Sequence, residues 1–75
     1  MMSYMVITAE PKHVHKIARE LAHFECTVDK LLVGEQTCNI IARVVTDNEG
    51  ALHKFIQQEV TPIKGVRHIA RMVLA

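Results

Sequence analysis

The sequence predicts an α+β fold, a ferredoxin-like plait of order β-α-β-β-α-β. In it a four-stranded antiparallel sheet carries two helices on one face. Three observations lead there. Four short segments are rich in Val, Ile and Leu, as strands are, and two stretches between them repeat apolar residues at helical spacing. Each helical stretch joins one strand to the next, so right-handed crossovers place both helices on the same side. Finally, 75 residues make one small domain.

Tyr4 to Ala9 is the first strand, almost wholly apolar as a central strand is. Pro11 suits the first turn of the first helix, where a missing N–H costs nothing. Val14, Ile17, Ala18 and Leu21 form that helix's apolar stripe and Phe24 closes it, while His13, Lys16, Arg19, Glu20 and His23 fall on the other side. Thr27 to Val33 is a second strand whose mixed Val28, Asp29, Lys30 and Leu31 suit a charged sheet edge. Asn39 to Val45 is the third strand and the most apolar. Asn48 caps the second helix, with Ala51, Leu52, Phe55, Ile56 and Val60 buried. Pro62 and Gly65 mark the following turn, and Val66 to Leu74 is the last strand.

The helices leave one sheet face uncovered. Alternate residues of the third strand, Asn39, Ile41, Arg43 and Val45, are expected there. Ile41 and Val45 are too apolar to stand bare, so a second subunit is the expected cover, giving a dimeric α/β-barrel-like assembly.

Composition narrows the function. Hydrophobic residues make up 49% of the chain, but with one Tyr, two Phe and no Trp the core is aliphatic. A formal charge of +1 provides no strong field toward nucleic acid or an anionic membrane. No apolar run is long enough to span a bilayer and no signal-peptide pattern begins the chain, so a soluble, cytoplasmic protein is expected. Cys26 and Cys38 lack Cys-x-x-Cys spacing and are expected to be free thiols.

Four segments, "YMVITAEP", "LLVGEQTCNIIARV", "ALHKFIQQEV" and "IKGVRHIARMVL", resemble in order and spacing the effector-binding RAM module of the Lrp/AsnC transcriptional regulators. The resemblance covers nearly the whole of residues 1–75 and leaves no residues for that family's helix-turn-helix, so it implies a stand-alone RAM domain. It further implies dimers joined through their sheet faces, dimers assembled into rings such as octamers, and a small effector, usually an amino acid, bound between dimers. The family's turn before strand three reads Gly-x-x-Asp. Those places fall on Gln36 and Asn39, unless Gly34 supplies the tight turn in a shifted register. Strand-four threonines of the family correspond to Ile69 and Arg71. The resemblance thus marks Gly34, Gln36, Thr37, Asn39, Ile69 and Arg71 as effector-binding. The chemistry differs from the family's, because Asn39 offers a neutral amide and Arg71 favours a carboxylate or other anion. The alternative is that Gln36 to Asn39 only lead into a strand and bind nothing.

Other constellations are weaker. His13, His15, His23, His53 and His68 could supply copper or zinc ligands, but no two have the spacing of helical ligand pairs. Glu20 with His23 and Glu49 with His53 do. Solvated helix faces explain them more simply, and no cofactor is expected. Lys64, Arg67, His68 and Arg71 form a basic segment. An RNA-binding plait would add aromatic residues on its central strands, and only Tyr4 is offered, so a rim, an anion contact or a subunit interface is expected instead. Cys38 shows no fixed histidine partner, and no phosphate loop or carboxylate pair is present, so catalysis is not expected.

Overall fold

The computed structural model describes residues 1–74. Strands β1 (Met2–Ala9), β2 (Val28–Gly34), β3 (Asn39–Val45) and β4 (Val66–Val73) form one antiparallel sheet in the order β2-β3-β1-β4. Helix α1 (Val14–Ala22) follows a single 3-10 turn at Pro11–His13, and α2 (Glu49–Phe55) runs on into a π-helical turn at Ile56–Val60. The β-α-β-β-α-β order and the ferredoxin-like plait are as the sequence predicts.

Period-two patterning decides which way the central strands face. Ser3, Met5, Ile7 and Ala9 of β1 and Ile40, Ala42 and Val44 of β3 are buried toward the helices. Val14, Ile17 and Leu21 of α1 meet them, as do Leu52 of α2 and Ile56 and Val60 of the π turn. All but Ser3 are apolar, and the Ser3 hydroxyl donates to the Val44 carbonyl. Phe24, just past the end of α1, packs on Phe55 of α2, their rings edge to face with centroids 5.2 Å apart.

The helix ends are explained locally. Pro11 opens the 3-10 turn. Asn48 caps α2, its Oδ1 accepting from the Ala51 amide at 2.8 Å. The π turn was not apparent in the sequence: the Thr61 amide donates to the Ile56 carbonyl at 2.8 Å, five residues back. After it Gly65 takes φ +98°, with the His13 ring packed where a Cβ would stand.

Two bulges break the ladders. Between β2 and β3 the register passes from Val28–Val44 to Lys30–Arg43, leaving Asp29 as the extra residue. Between β1 and β4 it passes from Thr8–His68 to Ala9–Val66, leaving Arg67 as the extra one. Both are charged side chains on edge strands, where bulges re-aim a residue.

The face away from the helices is uncovered within the chain. Rows cross it from β2 to β4: Leu32, Ile41, Val6 and Ala70, then Lys30, Arg43, Tyr4 and Met72. Leu32 is 68% exposed, Met72 62% and Ile41 40%, so the apolar open face expected from β3 is present.

Candidate functional site

The β2–β3 hairpin turn, Glu35 to Cys38, is four residues long. Cys38 closes it in the left-handed region at φ 56°, an unusual conformation for a residue with a Cβ. The left-handed position is therefore Cys38 and not Gly34. Gly34 serves the turn differently, since a Cβ there would lie 2.6 Å from Thr37 Oγ1. The turn is braced on both sides. The Ala9 amide donates to the Cys38 carbonyl at 3.0 Å, and Thr37 Oγ1 donates to the Gly34 carbonyl at 3.4 Å. His15 Nε2 of α1 reaches Glu35 Oε1 at 3.1 Å.

Gln36 and Thr37 are exposed on this turn, beside a shallow depression lined by Val33 to Thr37. Asn39 lies just beyond, on the open sheet face, in a polar row with Thr8 and His68. Its side-chain amide makes no hydrogen bond among the described residues, so both its donor and its acceptor are available to a ligand.

Ile69 and Arg71 are elsewhere. They pair with Ile7 and Met5 and so face the helices, at the opposite edge of the sheet from β2. Both line a cleft of about 450 Å³ between β4 and the π turn, together with His53, Gln57 and Arg67. Arg71 Nη2 is 3.9 Å from Glu49 Oε1. One protomer thus brings Gly34, Gln36, Thr37 and Asn39 together, and separately Ile69 with Arg71. It does not join the two groups. The cleft beside β4 was missed from the sequence, although its basic segment was visible there.

The histidines are dispersed. His13 is 3.9 Å from Glu10 and His15 pairs with Glu35, while neither Glu20–His23 nor Glu49–His53 forms a pair within 4.0 Å among the described residues. No group of three or more His, Cys, Asp or Glu side chains converges among those residues. Both cysteines are free thiols.

A groove on the open face is lined by Tyr4, Lys30, Leu32, Ile41 and Arg43. Arg43 is held by Asp29 through two hydrogen bonds of 2.8 Å. That hydrogen bonding keeps the Asp29 carboxyl below its ordinary 3.8 and raises the Arg43 guanidinium above its ordinary value.

Solved structures place this architecture. A transcriptional regulatory protein from Pyrococcus furiosus, a member of the AsnC family, superposes with a TM-score of 0.80 at 23% identity, over 95% of this chain. The chain has an Lrp/AsnC-like fold. It spans 48% of the length of that regulator. A hypothetical protein from Pyrococcus horikoshii matches 100% of this chain and 93% of its own, with a TM-score of 0.76 and 19% identity. FFRP-DM1 matches over 100% of both chains, with a TM-score of 0.73 and 22% identity. No family model matches the sequence, and no curated protein does. No helix among the described residues is long and apolar enough to cross a membrane.

Proposed function

We propose that this chain is a non-catalytic, cytoplasmic sensing and assembly module of the RAM type. It dimerises through its open sheet face, its dimers join into a ring such as an octamer, and a small effector, an amino acid or another small anion, is taken up between dimers. Its output passes through association with full-length Lrp/AsnC regulators and not through direct contact with nucleic acid.

The observation that carries this reading is the apolar open face. Leu32, Ile41, Val45 and Met72 stand exposed on a sheet whose other face is closed by helices, and a patch of that kind marks an interaction surface. The turn adds support. Its left-handed Cys38 and the uncommitted Asn39 amide are the kind of local strain and free polar group that binding sites hold. The separation of Asn39 from Arg71 within one protomer fits a site completed by a neighbour, with Arg71 of one dimer facing Gln36 and Asn39 of the next.

Native mass spectrometry of untagged protein, combined with thermal shift against the twenty amino acids and common organic acids, tests the proposal. An even-numbered oligomer stabilised by one or a few of these compounds is the expected result. A monomer stabilised by none of them overturns it.

A further inference from the structure

We infer that His15 of α1 is a positioning residue for the β2–β3 turn, and that its protonation draws Glu35 and the turn against the helix layer. The inference rests on the effector reading above and adds regulation to it: the turn that meets the neighbouring dimer is presented under pH control. The family resemblance marks neither His15 nor Glu35 for any role.

The turn has few anchors. Within it, Thr37 Oγ1 donates to the Gly34 carbonyl at 3.4 Å, and Cys38 Sγ approaches the Glu35 carbonyl at 3.8 Å. Toward the sheet, the Ala9 amide donates to the Cys38 carbonyl at 3.0 Å. Toward the helices, the one side-chain tie among the described residues is the 3.1 Å contact from His15 Nε2 to Glu35 Oε1. Cys38 opposes the arrangement, because its φ of 56° is unfavourable for a residue with a Cβ. A strained turn with few anchors is near balance, so a modest contact biases it.

The charges around His15 make Glu35 its natural partner. Lys12 and Arg19 stand three residues before and four after it, on the same surface of the helix, and Lys16 adjoins it. All three are exposed, and none has a carboxylate within 4.0 Å among the described residues. Glu20, five residues on, falls on another side of the helix. Beneath α1 the sheet is apolar, from Ile7 to Val33 and Ile40. The loop at Gly65 meets α1 through His13, where Glu10 and Lys64 also lie. The turn itself offers Glu35 as its one carboxylate and the Cys38 thiol as its other titratable group. An imidazolium at position 15 thus stands among cations with a single anion in reach.

Histidine is the side chain that changes charge between pH 5 and 8, where carboxylates stay ionised. Protonation therefore converts a contact between a neutral ring and an anion into an ion pair. The two side chains are 58% and 71% exposed, so the bias is about two- to fivefold and weakens with salt.

The test is an NMR titration of the full chain across pH 5–8 with no effector present, following the His15 ring and the amides of residues 35–38. In wild type the turn amides should shift in step with the ring, and high salt should reduce the excursion. In Glu35→Gln the ring should still titrate while the turn amides no longer follow it. A direct field effect of the ring on the turn would survive that substitution, so the loss is specific to the tie. In His15→Gln, which keeps a neutral donor, the turn should hold its wild-type high-pH shifts throughout. Both positions are exposed, so the rest of the spectrum should stay native, and Glu35→Ala substitutes if Glu35→Gln fails to fold. Turn amides that stay fixed across this range in wild type, or that follow the ring equally in the Glu35 variant, overturn the inference. Because no effector is added, this failure leaves the effector reading standing. Absence of binding by amino and organic acids removes that reading without touching the titration.

Discussion

Asp29 and Arg43 form a two-pronged hydrogen-bonded ion pair, 2.8 Å on each prong, between an edge-strand bulge and the middle of the open sheet face. Both side chains are partly exposed in the protomer, at 38% and 25%, so the pair adds little to the stability of one copy. Its consequence is for the face. Arg43 shares a row with Tyr4, Lys30 and Met72, and a partner subunit packed there would bury its guanidinium. Asp29→Asn should therefore weaken self-association more than it weakens folding. The folded-state pKa of Asp29 is depressed, so the carboxylate's contribution is fully present above its unfolded value of 3.8 and is lost as pH falls through the lower folded value. Light scattering from pH 7 downward should show wild type more associated than Asp29→Asn at neutral pH, with the difference beginning to shrink only below pH 3.8 and disappearing once the pH has passed the lower folded value.

Ile41 is 40% exposed at the centre of that face, flanked by Leu32 on β2 and Val6 on β1. Burial of an aliphatic side chain contributes about 1.5–3 kcal/mol, and a symmetric interface counts each residue twice. Ile41→Glu should dissociate the dimer, with wild-type-like circular dichroism if the monomer folds alone. Size-exclusion chromatography with light scattering reads this, and a wild-type chain that is monomeric at micromolar concentration contradicts the sheet-face dimer.

Gly65 is the most constrained glycine. Its φ of +98° is unfavourable for any residue with a Cβ, and that Cβ would lie 2.5 Å from the Cβ of His13. Gly65 also anchors the start of β4, because the Glu10 amide donates to its carbonyl at 2.8 Å. Gly65→Ala should cost at least about 1 kcal/mol from conformation alone. In a domain of this size that lowers Tm by about 4–8 °C. The double variant His13→Ala with Gly65→Ala should recover little, since the clashing Cβ and the positive φ both remain.

Cys38 gives the opposite case. A left-handed backbone costs an ordinary residue about 1–2 kcal/mol, and Asn tolerates that region best among residues with side chains. The Cys38 side chain makes only a long 3.8 Å hydrogen-bonding contact, from Sγ to the Glu35 carbonyl. Cys38→Asn should therefore stabilise the fold by up to about 1 kcal/mol, visible as a higher Tm in calorimetry. No gain would mean that thiol packing compensates the strain.

These positions also mark how far the sequence can be read. The facing of β3 is legible because it has one face against the helices and one open, so burial imposes a strict period, whereas the almost wholly apolar β1 shows its facing only in the structure. The Asn48 cap is legible because its side chain serves the backbone directly. The π turn is not, because Leu52, Ile56 and Val60 repeat every four residues, a spacing that an α-helix of 3.6 residues per turn also tolerates. The bulges at Asp29 and Arg67 are hidden for a related reason: one extra residue on an edge strand leaves composition unchanged. The left-handed turn residue is a cysteine, which carries no propensity for that conformation. The site divides likewise. The turn could be placed from the sequence, but the separation of Asn39 and Ile69 onto opposite sheet faces follows from strand register, which a linear pattern does not contain.

The relation between Asn39 and Arg71 supplies the last prediction. They lie on opposite faces of the sheet, so they can hold one ligand only across a subunit boundary. Arg71 is the one permanent charge among the six residues marked by the family resemblance, which favours an effector with a carboxylate. Its loss removes a charge-assisted hydrogen bond of about 1.5–3 kcal/mol, so Arg71→Ala should weaken effector binding tenfold or more. Asn39→Asp places a carboxylate on an otherwise uncommitted position and should shift preference toward ligands bearing an ammonium group. Thermal shift with amino acids and organic acids on wild type and both variants measures this. If the effector spans two dimers, mixing Arg71→Ala with Asn39→Ala subunits should restore a fraction of intact sites, because some contacts then pair a wild-type Asn39 with a wild-type Arg71. If both groups acted within one protomer, mixing would restore none, since every protomer would carry a defect. Binding recovered on mixing is therefore the specific signature of a site shared between neighbours.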